Sequence, residues 1–175
     1  MLLVDFKNAF NLVDQEVMLR KVRLRSLAIS RWVEFCYSNP ARLYYKEHTL
    51  WSCQGVQQDD PLGPLLFSLV LHPLICKIRD SLSLSFHDWY LDDGTIIEDT
   101  LVVGKVLELI IEDRPGCGLH LNVHKTKVFW PKEDPRIRLA GIFPPNIARP
   151  LHGVKLLGGP ASVDIDFCNE LVMKR

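Results

Sequence analysis

Phe86-His87-Asp88-Trp89-Tyr90-Leu91-Asp92-Asp93-Gly94-Thr95-Ile96-Ile97-Glu98 is the stretch that decides the fold. Phe86 to Tyr90 and Thr95 to Glu98 are strand-forming runs on either side of Asp92-Asp93-Gly94, a tight-turn signature because Asp-Gly supplies positive φ cheaply. By itself this is two solvated acids at a hairpin tip. The sharper reading comes from the apolar strands around the acids. Like charges held close raise each other's pKa, and a divalent cation removes that penalty. Met1 to Phe6 is a second short apolar run, suited to a buried strand, with Asp5 near its end. Three carboxylates on neighbouring strand ends hold hard cations through oxygen, the arrangement used for in-line phosphoryl or nucleotidyl displacement. Sequence supplies these candidates without bringing Asp5 to Asp92.

Working outward, Asp14 is placed to cap a helix through about Ser26, and Ser30 a second helix reaching Tyr37 before Asn39-Pro40 stops it. Arg42 to Tyr45 and Thr49 to Cys53 read as a hairpin around Lys46-Glu47-His48. A polar loop, Gln57 to Asp60, leads into a long apolar helix from about Leu62 to Arg79, with Pro61 near its first turn and a kink expected at Pro73. Leu65, Leu66, Leu69, Val70 and Leu74 should make this the most buried helix, wetter from Lys77 to Asp80. Leu101 to Asp113 is a helix ended by Pro115-Gly116, Leu119 to Val123 and Val128 to Trp130 are strand-like, 131 to 150 is irregular, and Asp164 to Lys174 is a terminal helix.

Bulk charge announces no nucleic-acid binder, since 21 Lys and Arg balance 21 Asp and Glu. Locally, basic segments at 20 to 46 and 125 to 155 bracket an acidic stretch at 88 to 113. That pattern suits a cation site flanked by phosphate-binding surface, or simply dispersed surface charge. Five cysteines, an odd number with no Cys-x-x-Cys, read as reduced intracellular thiols. No basic segment precedes the apolar start, so no signal peptide is expected, and the apolar run Leu65 to Cys76 falls short of a membrane span. Cys117, His120 and His124 make half a zinc site without a fourth ligand.

Five segments in order carry a family resemblance: Asp5-Phe6-Lys7-Asn8-Ala9-Phe10, Gln57-Gln58-Asp59-Asp60-Pro61-Leu62-Gly63-Pro64, Tyr90-Leu91-Asp92-Asp93, Gly118 to Thr126, and Val154-Lys155-Leu156-Leu157-Gly158. The chain resembles the palm of reverse transcriptases of non-long-terminal-repeat, LINE-like retrotransposons, motifs A to E. The resemblance implies an α+β fold, a small antiparallel sheet backed by helices. It places the palm at 1 to 160, truncated at its front, with 161 to 175 a tail toward a missing thumb. It also implies RNA-directed DNA polymerase chemistry with two Mg2+ ions, an RNA template, a DNA primer and dNTPs, and no membrane.

By the same resemblance, Asp5, Asp92 and Asp93 are metal-binding and catalytic, and the Phe6 carbonyl is an extra metal ligand. Phe6, Ala9, Phe10, Gln58, Pro61 and Gly63 face the nucleotide, Phe10 as a gate under the sugar, and Lys125 protonates the leaving pyrophosphate. The family has Gly where this chain has Asp59. With fingers and thumb expected to be absent unless another chain supplies them, the chain by itself is expected to be inactive. A non-catalytic remnant that binds nucleic acid weakly, and a structural or regulatory domain, are the alternative readings.

Overall fold

A computed structural model describes the chain except residues 58, 114, 133, 139, 140, 174 and 175. It falls into two compact units, one formed by Met1–Asp5, Leu84–Leu107 and Asn122–Arg175, the other by Phe6–Ser83 and Glu108–Leu121. Helices and small antiparallel sheets share the chain, so the fold is α+β of the palm-like kind expected.

The first unit is built on β1 (Leu2–Val4), β4 (Phe86–Tyr90), β5 (Asp93–Ile97) and β6 (Lys127–Val128), in the order β4-β5-β1-β6. Residues paired across antiparallel strands share a face, so the register sorts the side chains. Leu2 pairs with Ile96 and with Val128, and all three are at most 1% exposed. The opposite face carries Leu3, Thr95 and Asp88 in register, then Tyr90 opposite Asp93. β7 (Val154–Leu156) and β8 (Gly159–Ala161) form a hairpin turning at Leu157 and Gly158, both at positive φ. α6 (Ile165–Met173) packs on β8, and Asp164 caps it by accepting from the Asp166 and Phe167 N–H groups. α5 spans Thr100–Asp113.

The second unit holds α1 (Ala9–Leu12), α2 (Gln15–Arg25), α3 (Leu27–Tyr37), the hairpin β2 (Ala41–Tyr45) and β3 (His48–Ser52), and α4 (Gly63–Ser81). Asp14 caps α2 as its spacing predicts, accepting from the Val17 N–H at 2.8 Å. α3 begins three residues before the expected Ser30, because the Ser30 hydroxyl donates to the Leu27 carbonyl inside the helix. The β2–β3 turn is the two residues Lys46-Glu47, with Lys46 in the left-handed region and His48 already in the strand.

α4 runs on through Pro73, and the proline in its first turn is Pro64 rather than Pro61. Its buried residues are Gly63, Leu66, Phe67, Val70, Leu71, Leu74 and Ile78, a stripe at helical spacing. Leu65 was expected in the core, but it points off the stripe and is 44% exposed. α2 packs against α3 and α4 through Met18, Leu19 and Val22.

Candidate active site

The hairpin expected at Asp92-Asp93-Gly94 forms two residues earlier in its turn geometry. Tyr90 pairs with Asp93, so the tip is Leu91-Asp92, and Leu91 adopts the positive φ of 55° expected of a glycine. Gly94 is needed for another reason. Its cross-strand partner is Trp89, and a Cβ at Gly94 would lie 2.6 Å from the indole ring. Gly94 therefore seats the tryptophan and fixes the strand that delivers Asp93.

β1 ends with Val4 paired to Gly94, and one further step of that register sets Asp5 against Asp93. Backbone contacts from the segment after residue 121 hold Asp5 there. Its carbonyl accepts from the Asn122 N–H at 2.8 Å, and its N–H donates to the Thr126 hydroxyl at 3.2 Å. Thr126 is fully buried. Its role was missed because a threonine beside a lysine in a turn carries no signal of which strand end it ties down.

Asp5 Oδ1 is buried with no hydrogen-bond partner. A carboxylate oxygen withdrawn from water without a donor is costly, and a cation is the group that would satisfy it. The Asp93 carboxyl is pushed above the usual carboxylate range, first by desolvation, then by the negative charges of Asp92 and Asp5. The three acids thus share one electrostatic neighbourhood. Among the described residues, however, no three His, Cys, Asp or Glu side chains are gathered into a ready metal cage, whether from these acids or from Cys117, His120 and His124. Uncompensated carboxylates repel one another, and what the structure shows here is the orphaned Asp5 oxygen beside the raised Asp93 carboxyl. Beside Asp93, on the same sheet face, a cavity of about 110 Å³ is lined by Leu3, Asp88, Tyr90, Thr95, Lys155 and Leu157, among others. Lys125 lies in this unit as well, exposed, its N–H closing a turn onto the Asn122 carbonyl.

The remaining residues implied by the resemblance belong to the second unit. Phe6 is 3% exposed and its backbone bridges Leu121. Ala9 is buried at the start of α1, after Asn8 in the left-handed region. Phe10 stacks on the fully buried Phe67, ring centroids 4.4 Å apart and planes 18° from parallel, so its ring is held from behind. The loop before α4 is pinned to α1: the Val56 N–H donates to the Phe10 carbonyl at 2.7 Å and the Gly55 N–H to the Val13 carbonyl at 2.8 Å. Tyr37 braces the same loop, donating to Asp60 Oδ2 and accepting from the Gln57 N–H. Burial, then the bond to Asp60, pushes its hydroxyl above the usual phenol range. Asp60 in turn accepts from the Leu62 N–H, leading Pro61 and Gly63 into the helix. Gln58 lies outside the described residues.

Asp59 is exposed at φ 63°, the conformation a glycine takes without strain. Asp59→Gly relieves a left-handed penalty of about 1–2 kcal/mol, offset by about 0.4–1 kcal/mol of extra unfolded-chain entropy. A rise of roughly 0.5 kcal/mol in unfolding free energy is expected by urea titration, and a fall would contradict a left-handed residue 59.

The model of the family described as reverse transcriptase (RNA-dependent DNA polymerase) matches residues 1–158. The chain is also 27% identical over 136 residues to the retrotransposable element SLACS 132 kDa protein of Trypanosoma brucei gambiense, a match covering 72% of this chain and 11% of that protein. With the aspartate-bearing hairpin, the strand ending in Asp5 and the braced loop before α4 all inside a match that spans most of the sequence, the chain belongs to the reverse transcriptase family.

Proposed function

We propose that the chain serves as the palm of an RNA-directed DNA polymerase of a retrotransposon and that Asp5, Asp92 and Asp93 hold its divalent cations. The observation that carries this reading is the buried, unpartnered Asp5 Oδ1, on the strand end that continues in register toward Asp93. When bound, Mg2+ supplies Lewis-acid stabilisation of charge on a transferring phosphoryl group. The chain's own part is to present the carboxylates from strand ends fixed by Thr126, Asn122 and Gly94, and to shape a nucleotide floor from Phe10 and the loop before α4. Gln58 belongs to that floor by resemblance, the Phe6 carbonyl is the further metal ligand, and Lys125 is the proton donor toward pyrophosphate. RNA template, DNA primer and dNTPs are the substrates. No helix among the described residues is long and apolar enough to cross a membrane.

A non-catalytic remnant is the second reading, favoured by the charge and side chain of Asp59 where the family places glycine. Primer extension on an RNA template with Mg2+ separates the two. Extension that disappears in Asp92→Ala supports the polymerase, while cation binding without extension supports the remnant.

Cation binding itself should depend on pH. Because the Asp93 carboxyl titrates above the ordinary range, the folded, metal-free protein is penalised above that pKa and relieved as pH falls through it. A cation needs the ionised form. Its stabilising effect, about 2.7 kcal/mol at a hundredfold excess over Kd, should fade as pH falls, beginning above the ordinary aspartate value of about 4. Thermal shifts with Mn2+ across pH measure this. A cation effect that persists unchanged into acid would sink the site.

A further inference from the structure

The arm formed by β2 and β3 belongs to the second unit, the aspartates to the first. Every residue from Arg42 to Trp51 is exposed, and a lone two-stranded hairpin is marginal in water. Yet Leu43, Tyr44, Tyr45, Leu50 and Trp51 are between 51% and 75% exposed, a concentration of apolar surface that marks an interaction site.

The register separates two chemistries. One face carries Leu43 and Leu50 with Tyr45 and His48. The other carries Arg42, Tyr44, Thr49 and Trp51. On this second face the Arg42 guanidinium lies 5.1 Å from the Trp51 ring centroid, whereas at the tip Lys46 lies 5.5 Å from the ring of Tyr45, which belongs to the first face. Neither cation makes an ion pair among the described residues, and Glu47, in the turn, is the one carboxylate between Ala41 and Ser52. On the second face, exposed π-faces beside a cation without an ion pair suit a ligand with planar rings along an anionic backbone. A protein partner would be drawn instead to the Leu43 and Leu50 face.

We propose that the Arg42, Tyr44, Thr49 and Trp51 face binds single-stranded nucleic acid, stacking unpaired bases on Trp51 and Tyr44 and setting Arg42 against a phosphate. It rests on the polymerase reading for the kind of strand encountered, but it needs neither metal nor catalysis. Duplex bases are already stacked on each other, so single strands are preferred.

The test is fluorescence anisotropy with the full chain in EDTA, using labelled dT and U oligomers of about 15 nucleotides, long enough for one such surface, and a duplex of equal length. Single strands should bind at least about tenfold tighter than duplex. Trp51→Ala should weaken binding about five- to a hundredfold, the range of one lost stacking contact, whereas Trp51→Phe, which keeps a ring, should stay within about threefold of the parent. Arg42→Gln should lower the salt slope by about one phosphate contact. Leu43→Ser, on the opposite face, should bind as the parent does. Because the assay is run in EDTA, failure of the metal site would leave this result standing. Parent-like binding by folded Trp51→Ala overturns the proposal, as does loss of binding in Leu43→Ser alone, which would assign the arm to a protein-type contact.

Discussion

Asp5→Asn is expected to raise the melting temperature of the cation-free protein while abolishing its response to Mg2+ or Mn2+. In the folded chain Asp5 Oδ1 is buried without a donor, and its charge contributes to the raised Asp93 carboxyl. Asparagine keeps the shape and removes the charge, relieving an uncompensated desolvation cost on the order of 1–3 kcal/mol. The same change removes one of the three carboxylates proposed as hard ligands for the cation. Cation affinity should fall by roughly a hundredfold or more, beyond the effect typical of losing an outer-shell partner, and any primer extension by about a thousandfold or more. Differential scanning fluorimetry with and without Mn2+ reads both signs at once. A metal-free variant less stable than the parent, with its cation response intact, would show Asp5 to be structural. Stabilisation bought by loss of function is the usual behaviour of a site strained for its ligand.

Gly118→Ala should be among the most damaging single changes in the chain. Gly118 has φ 76°, and a Cβ there would lie 2.0 Å from the Leu12 carbonyl oxygen and 2.9 Å from the Asp14 nitrogen. Both are backbone atoms of the turn that joins α1 to α2, where the Asp14 N–H already donates to the Cys117 carbonyl at 3.0 Å. No rotamer change relieves such a clash. Left-handed strain of about 1–2 kcal/mol and overpacking of about 1–3 kcal/mol together come to roughly 2–5 kcal/mol, a large part of a typical domain's stability. At about 2–4 °C per kcal/mol for a chain of this size, a melting temperature lower by roughly 5–15 °C is expected. A melting curve within about 2 °C of the parent, near the response to a single kcal/mol, would mean that the turn does not approach the helix this closely. Gly116, nearby, has nothing within 4 Å of its missing Cβ and should tolerate alanine.

The elements with strong local signals are legible in the sequence. Asp14 caps α2 as its spacing predicts, and the stripe through Leu66, Val70 and Leu74 forms the buried side of α4. The errors came where local chemistry competes with tertiary pairing. Asp-Gly offers the cheapest turn, yet the turn forms at Leu91-Asp92, because Gly94 is required opposite the Trp89 ring and cannot also serve at the tip. Ser30 has the chemistry of a cap, but its hydroxyl finds a carbonyl within the helix. Of the site, the aspartates could be named from their motifs, whereas the Thr126 tie to Asp5 and the Tyr37 brace on Asp60 could not. Each joins residues distant in sequence through a single hydroxyl, and nothing in either neighbourhood points to the other.

The order β4-β5-β1-β6 also bears on how the chain assembles. β1 is an inner strand, yet Leu2 pairs with Ile96 and Val128, residues 94 and 126 positions later. The β4–β5 hairpin can close locally within microseconds, but β1 has no partner until that hairpin exists, and its second edge stays open until β6 arrives. At synthesis rates of about 5–20 residues per second, the strand bearing Leu2 and Val4 spends roughly five to twenty seconds as an unpaired apolar edge. Of the four strands in this sheet, the one that positions Asp5 waits longest for its partners, and this late-docking strand is the point at which chaperone binding or aggregation would compete with formation of the site.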